Sequence, residues 1–273
     1  MVKLEPMTNG YYLWHYVPSI AAGVIFTVLF FAITAFHSWK LFKTKDRFTF
    51  PFAIGGLFEI IGYAARVAAH GKTGELMPYV IQSVFLLLAP ILFAAAVYMV
   101  LARIIRSVNA EQYSPIRINW VTKIFVGCDI LTFLIQGSGA GMMAESSMSK
   151  MGKNIVLAGL ILQILTFVLF LVTAIVFDIR MRANPTLEAT QGGSPWKKHL
   201  LSLYTVSSMI LLRSVFRVIE YGLGNDGYLL ANEWPTYVLD AVPMFIAMIC
   251  FAYWYPSELQ PFLVKSELEV ASV

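Results

Sequence analysis

Seven stretches of about twenty mostly apolar residues divide this chain of 273 residues. They lie near residues 17–38, 49–70, 79–102, 121–143, 154–177, 199–222 and 235–256. A helix of that length crosses the ~30 Å hydrocarbon core of a bilayer. Inside lipid, only helices or closed barrels satisfy every backbone polar group. What remains between the stretches is too short for a separate soluble domain, and no internal repeat of the inverted-transporter kind is visible. The sequence therefore predicts an all-α fold, a polytopic membrane protein whose single seven-transmembrane-helix bundle occupies residues 1–273. Composition agrees, with 58% hydrophobic and 13% charged residues.

Basic residues orient the bundle. Lys40, Lys43, Lys45 and Arg47 fall in the first loop, Arg103, Arg106, Arg117 and Lys123 around the third, and Arg180, Arg182, Lys197 and Lys198 around the fifth. Lys265 joins them from the tail, whereas only Lys3, Lys72, Lys150 and Lys153 fall on the other side. The positive-inside rule then puts the N-terminus outside and the C-terminus in the cytoplasm. A net charge of +4 is thereby explained by anionic lipid at the cytoplasmic surface, without a nucleic-acid partner. No removable signal peptide is expected, since the first apolar stretch lacks a preceding basic region and cleavage site. Cys128 and Cys250 both fall inside spans, so no disulfide is expected, and Asn184 is followed by proline, which leaves no glycosylation sequon.

Charged side chains at membrane depth are expensive and mark candidate sites. Seven lie within the spans: Glu59, Arg66, Asp129, Arg213, Arg217, Glu220 and Asp240. Gln82 and Gln136 add two amides at membrane depth. Helical spacing aligns Glu59 with Arg66, Asp129 with Gln136, and Arg213 with Arg217 and Glu220. Such stripes should face the bundle interior, where the groups can satisfy one another. Position along each span places most of them in the outer half, with Glu59 near mid-membrane and Asp129 alone in the inner half. That pattern leads us to expect a cavity open to the outside. Arg217 and Glu220, one turn apart, have the spacing of a local structural pair. Glu59 and Asp129 lack a basic neighbour one turn away and are the stronger candidates for substrate or proton handling.

Other features point to architecture. Gly137 and Gly141 form a G-x-x-x-G spacing suited to close helix packing. Pro90 and Pro243 should kink their spans and free carbonyls towards the interior. Tyr11, Tyr12, Trp14, Tyr16, Trp39, Trp120, Trp196, Trp234 and Trp254 cluster at span ends and read as interface anchors.

Three function classes can be tested against residues. A zinc hydrolase needs converging ligands, yet His15 and His70 fall on one side and His37 and His199 on the other. No phosphate loop or Gly-x-Ser-x-Gly elbow is present, so no enzyme, metal or cofactor is expected. A seven-helix receptor fits the helix number and orientation. This chain, however, has no acidic-Arg-aromatic triplet after the third span, no outer cysteine pair and no lysine in the seventh span.

The blocks Glu59-Ile60-Ile61-Gly62-Tyr63-Ala64-Ala65-Arg66, Leu88-Ala89-Pro90, Asp129 with Gln136-Gly137-Ser138-Gly139, and Gly159 with Gln163 resemble the fungal lipid-translocating exporter family. The block from Arg213 to Tyr221, with Gly224, Glu233-Trp234, Tyr237, Asp240 and Pro243, completes the pattern. The resemblance implies a protein of the RTA-like, 7-aminocholesterol-resistance group, which includes a sphingoid long-chain-base exporter and a porphyrin transporter. It implies translocation or efflux of amphipathic lipids and resistance to toxic lipids, with plasma membrane the expected compartment and vacuole or endoplasmic reticulum the alternatives.

Physical reading and resemblance meet on a substrate with a cationic or zwitterionic head. Glu59 and Asp240 are expected to meet that head, Asp129 to relay protons or gate the inner end, and Arg66 and Arg213 to neutralise the empty site. The other reading is a seven-helix lipid-sensing receptor or a regulator of lipid asymmetry.

Overall fold

The structure is a computed structural model describing residues 4, 6, 14, 16–143, 148–191, 196–223 and 228–256. Seven helices among them are long and apolar enough to cross a membrane. They are α1 (Ile20–Thr44), α2 (Phe50–Ala68), α3 (Leu76–Ser107), α4 (Ile118–Met143), α5 (Ser149–Ala183), α6 (Trp196–Leu223) and α7 (Trp234–Tyr253). No strand occurs among the described residues. The chain is a multi-pass membrane protein.

Helix ends follow local chemistry more than hydropathy. α1 starts at Ile20, three residues after the expected position, because Pro18 precedes Ser19, whose hydroxyl accepts the Ala22 N–H at 3.4 Å as an N-cap. α5 runs for 35 residues, about 52 Å of helix, so both polar ends project beyond the hydrocarbon. It stops at Asn184 because Pro185 follows and disfavours helical backbone at the residue before it. α7 changes pitch along its length. A single turn (Trp234–Thr236) leads into a π-helical segment (Tyr237–Ala241) and then an α-helix from Val242. The Val242 N–H reaches back five residues to the Tyr237 carbonyl, and Pro243 contributes no donor of its own.

α3 is the central helix and packs against α2, α4 and α6. α5 lies against α4 and α6, while α1 is held by α2 and α7. Phe52, Phe93 and Phe251 stack where α2, α3 and α7 meet, with Phe52 and Phe251 centroids 4.0 Å apart. The outward faces are apolar as well, as expected where the solvent is lipid: Ile25, Val28, Phe31, Leu165 and Leu169 are exposed.

Glycines set the closest helix approaches, as is usual where lipid supplies no hydrophobic drive between helices. A Cβ on Gly139 of α4 would sit 2.7 Å from the Gly152 carbonyl of α5, and one on Gly159 would sit 2.8 Å from Gln136 Cγ. Gly137 and Gly141, the pair expected to pack, have nothing within 4 Å of an added Cβ. The reason is rotational. Gly139 lies three residues after Gln136 on the inward stripe, whereas its neighbours two positions away turn outward.

Among the expected anchors, Trp39, Trp120 and Trp234 are exposed. Trp14 and Trp196 are instead buried, and Tyr16 and Trp254 half-buried. Tyr11, Tyr12, His15, Gly224, Lys3 and Lys265 lie outside the described residues.

Candidate functional site

A buried ion network ties α3, α6 and α7 together. Arg213 Nε donates to Asp240 Oδ1, and Arg217 Nη2 donates to Asp240 Oδ2, so both carboxylate oxygens are occupied by different guanidinium groups. Arg217 Nη1 donates to Glu220 Oε2 at 3.0 Å, the local pair that the spacing predicts. Arg213 Nη2 donates to the Leu86 carbonyl oxygen. Pro90 cannot supply the i→i−4 donor for that carbonyl, so α3 presents it sideways and Arg213 fills the gap. Asp240 reaches both arginines from the π-helical segment of α7.

Nearer the end at which α1 begins lies a second cluster, around Arg66, whose residue is 1% exposed. Its Nη2 donates to Tyr16 Oη at 2.6 Å and to Glu233 Oε1 at 3.1 Å, and its Nε to Tyr237 Oη at 3.0 Å. Trp14, Tyr16 and Tyr237 surround the guanidinium with ring centroids 5.1–5.7 Å away, within cation–π range. Glu233 also accepts the Ser19 N–H at 2.9 and 3.0 Å, capping the positive end of α1. Arg66 therefore does not pair with Glu59 along its own stripe. It binds the segment before α1 to the start of α7.

Beside the ion network, two turns along α2 from Arg66, lies Glu59. It is 0% exposed, and neither carboxylate oxygen has a hydrogen-bond partner. Tyr63, one turn along α2, is equally buried with an unpartnered hydroxyl. The charged groups within electrostatic reach of Glu59 are Arg213, Arg217 and Asp240. Gln82 of α3 is buried one turn before Leu86, with its Oε1 unpartnered. Phe30 of α1 stacks on Tyr63 at 5.4 Å, and Phe26 stacks on Tyr237 at 5.1 Å. These rings close the site on the α1 side.

Asp129 and Gln136 share one stripe of α4, but it faces other helices. Asp129 accepts the Tyr98 hydroxyl of α3 at 2.9 Å. Gln136 donates to Gln163 Oε1 of α5, also at 2.9 Å. The ion network of α6 and α7 makes no hydrogen bond to either among the described residues. Glu59, expected near mid-membrane, and Asp129, expected in the inner half, thus belong to two separate polar sites.

The expected open cavity is also revised. Arg66, Glu59, Arg213 and Asp240 are all buried, with Trp14, Tyr16 and Tyr237 packed around Arg66. A small pocket lies towards the opposite end, lined by Val97, Val100, His199, Ser202 and Trp254 among others. It has room for no more than about one water molecule.

Four residues escaped the sequence reading of the site. Glu233 lies just before the predicted seventh span, outside the intramembrane set. Tyr63 sits at i+4 from Glu59 and Tyr237 at i+4 from Glu233, a spacing that could have identified both. Tyr98, on a different helix from Asp129, left no signal of that kind.

The family model described as RTA1 like protein matches residues 52–262. Protein RTA1 of Saccharomyces cerevisiae is 33% identical over 273 aligned residues, covering 91% of this chain and 86% of that protein. Protoporphyrin uptake protein 1 of the same species is 30% identical, covering 89% of this chain and 92% of its own length. The sphingoid long-chain base transporter RSB1, also from Saccharomyces cerevisiae, is 23% identical, with 93% and 76% covered. No solved structure matches the chain.

Proposed function

The chain belongs to the RTA1-like family, and from that membership we propose that it translocates amphipathic lipids with a cationic head, such as sphingoid long-chain bases, between the two faces of a membrane. The observation that carries this reading is Glu59, a fully buried carboxylate with no hydrogen-bond partner. Asp240, Glu220 and Glu233 are each ion-paired to an arginine. An ammonium head group is the partner that Glu59 lacks, and a charge-assisted hydrogen bond in a low-dielectric site is a strong one.

The neighbouring residues take supporting roles. Asp240 is held by two arginines, which leaves the head group to Glu59 and keeps Arg213 and Arg217 from competing for it. Tyr63 and Gln82 offer a hydroxyl and a carbonyl oxygen to the remaining ammonium protons. The Arg66 cage forms the closed outer gate, because its aromatic rings and Glu233 join the N-terminal segment to α7. Opening requires a change at the start of α7, where the π-helical segment and Pro243 make the helix least regular. Asp129 and Tyr98 form a second polar station between α3 and α4. In this reading the N-terminus is outside, and the whole chain acts as one membrane domain.

A liposome assay with the purified protein as its only protein component tests the proposal. Transfer of a fluorescent sphingoid base between leaflets should exceed that in protein-free liposomes and be lost in Glu59→Gln. Tight binding without transfer would favour the lipid-sensing receptor instead.

A further inference from the structure

The charge inventory around Glu59 carries a consequence beyond head-group binding. Arg66, Arg213 and Arg217 meet Glu233, Asp240 and Glu220, and these six groups pair off among themselves. Glu59 is the carboxylate left over. The charged groups within its electrostatic reach are Arg213 and Arg217 on α6 and Asp240 on α7, and Tyr63 lies one turn along its own helix. The other polar groups buried on the packed elements are Gln82 of α3 and Tyr237 of α7, while α1 brings Phe26 and Phe30 against Tyr63, and Thr34, one turn after Phe30, against Gly56. None of them donates a hydrogen bond to Glu59. A carboxylate fully buried without a hydrogen-bond donor is costly in its ionised form, and either a proton or a bound cation relieves that cost.

We propose that Glu59 is an exchange site, at which one proton and one ammonium head group bind in alternation, so that lipid movement in one direction drives a proton in the other. The inference rests on the head-group reading of Glu59. The step balances: the Glu59 carboxylic acid releases its proton to water on one face and takes the ammonium as an ion pair. The ammonium leaves on the opposite face as a proton returns to the carboxylate from that side. No covalent bond other than O–H is made or broken, and the site holds the same charge with either occupant. Because the two occupants carry equal charge, the cycle moves no net charge across the membrane.

Two features of the structure suit exchange. Occupancy of Glu59 is mutually exclusive, since Arg213 and Arg217 are each engaged by Asp240 or Glu220 and neither bonds Glu59, although Arg217 Nε is left without a partner. The aromatic and ionic seal over the site, from Trp14, Tyr16, Arg66 and Tyr237, excludes water, so an empty ionised Glu59 cannot be carried through the closed state. A transporter built in this way closes only when loaded with one cation or the other. That is the condition for tight coupling.

The test uses the full chain in liposomes enclosing a pH-reporting dye, with a fluorescent sphingoid base methylated to a quaternary ammonium. This probe has no proton to lose and does not cross as a neutral amine; it keeps the charge that pairs with Glu59 while giving up the N–H hydrogen bonds of a primary ammonium. We expect its entry to expel about one proton per molecule, to speed up at least several-fold when the lumen is one pH unit more acidic, and to ignore an imposed potassium diffusion potential. Glu59→Gln, a stand-in for the protonated acid, should abolish both movements. Probe entry without proton movement, or entry that follows the potential, would overturn the exchange and leave the head-group reading intact. Equal entry in wild type and Glu59→Gln would remove Glu59 from both. The wild-type proton count decides the question even where the variant fails to fold.

Discussion

Arg213 of α6 donates a hydrogen bond to the carbonyl oxygen of Leu86 in α3, the acceptor that Pro90 leaves without a helical donor. One residue thereby neutralises half of Asp240 and repairs a helix across the bundle core. Removing one partner of a buried ion pair costs ~3–5 kcal/mol. Arg213→Leu should fall in that range in a detergent unfolding titration. In a Pro90→Ala background the cost should shrink by about 1–2 kcal/mol, because α3 then supplies its own donor to Leu86. Equal costs in the two backgrounds would show that the Leu86 contact contributes nothing.

Arg66 offers a different test, because its fork geometry carries the contacts. It binds Tyr16, Glu233 and Tyr237 at once, which a lysine cannot reproduce. Arg66→Lys should keep the charge yet loosen the segment before α1. Hydrogen exchange at the Ser19 amide, which donates to Glu233, is the direct readout. We expect roughly tenfold faster exchange, equivalent to about 1.4 kcal/mol. Unchanged protection at Ser19 would mean that Glu233 is held without the guanidinium.

Glycine substitutions in α4 should separate sharply by position. Gly139→Leu drives a side chain into the Gly152 carbonyl and Val156; overpacking of this kind costs ~1–3 kcal/mol. Gly137→Leu and Gly141→Leu point into open space, so their effect should stay within about 0.5 kcal/mol. The same unfolding titration ranks them. A reversed order would place α4 in a different rotation against α5.

Tyr98→Phe removes the donor to Asp129 and leaves a buried carboxylate oxygen short of a partner, at a cost of ~1–3 kcal/mol. Since the Tyr98–Asp129 contact shares no partner with the ion network, the cost should add to that of Arg213→Leu within about 0.5 kcal/mol. Strong non-additivity would connect the two sites that the structure separates.

The way Glu59 and Asp240 part company shows how far the sequence reading reaches. Both are acidic, both lie at membrane depth, and spacing along their own helices treats them alike. Only the assembled bundle gives Asp240 two arginines and Glu59 none. Arg217 with Glu220 was legible beforehand, because a pair within one helical turn depends on local geometry alone. Arg66 with Glu233 was not, because its partners are 167 residues apart and meet only when α2 packs near the start of α7. The G-x-x-x-G reading of Gly137 and Gly141 failed for a related reason. Spacing identifies a face, but not which face turns inward.

By itself, the sequence determined the seven crossings, the helical class and the list of charged groups that must be reconciled inside lipid, since each follows from length, hydropathy and the cost of burying charge. Tertiary structure alone decided which charges cancel, because ion pairing depends on distances between helices that no single-helix periodicity contains. That is how Pro90 comes to serve Arg213, how Arg66 comes to lie in an aromatic cage, and how Glu59 is left as the buried acid without a partner.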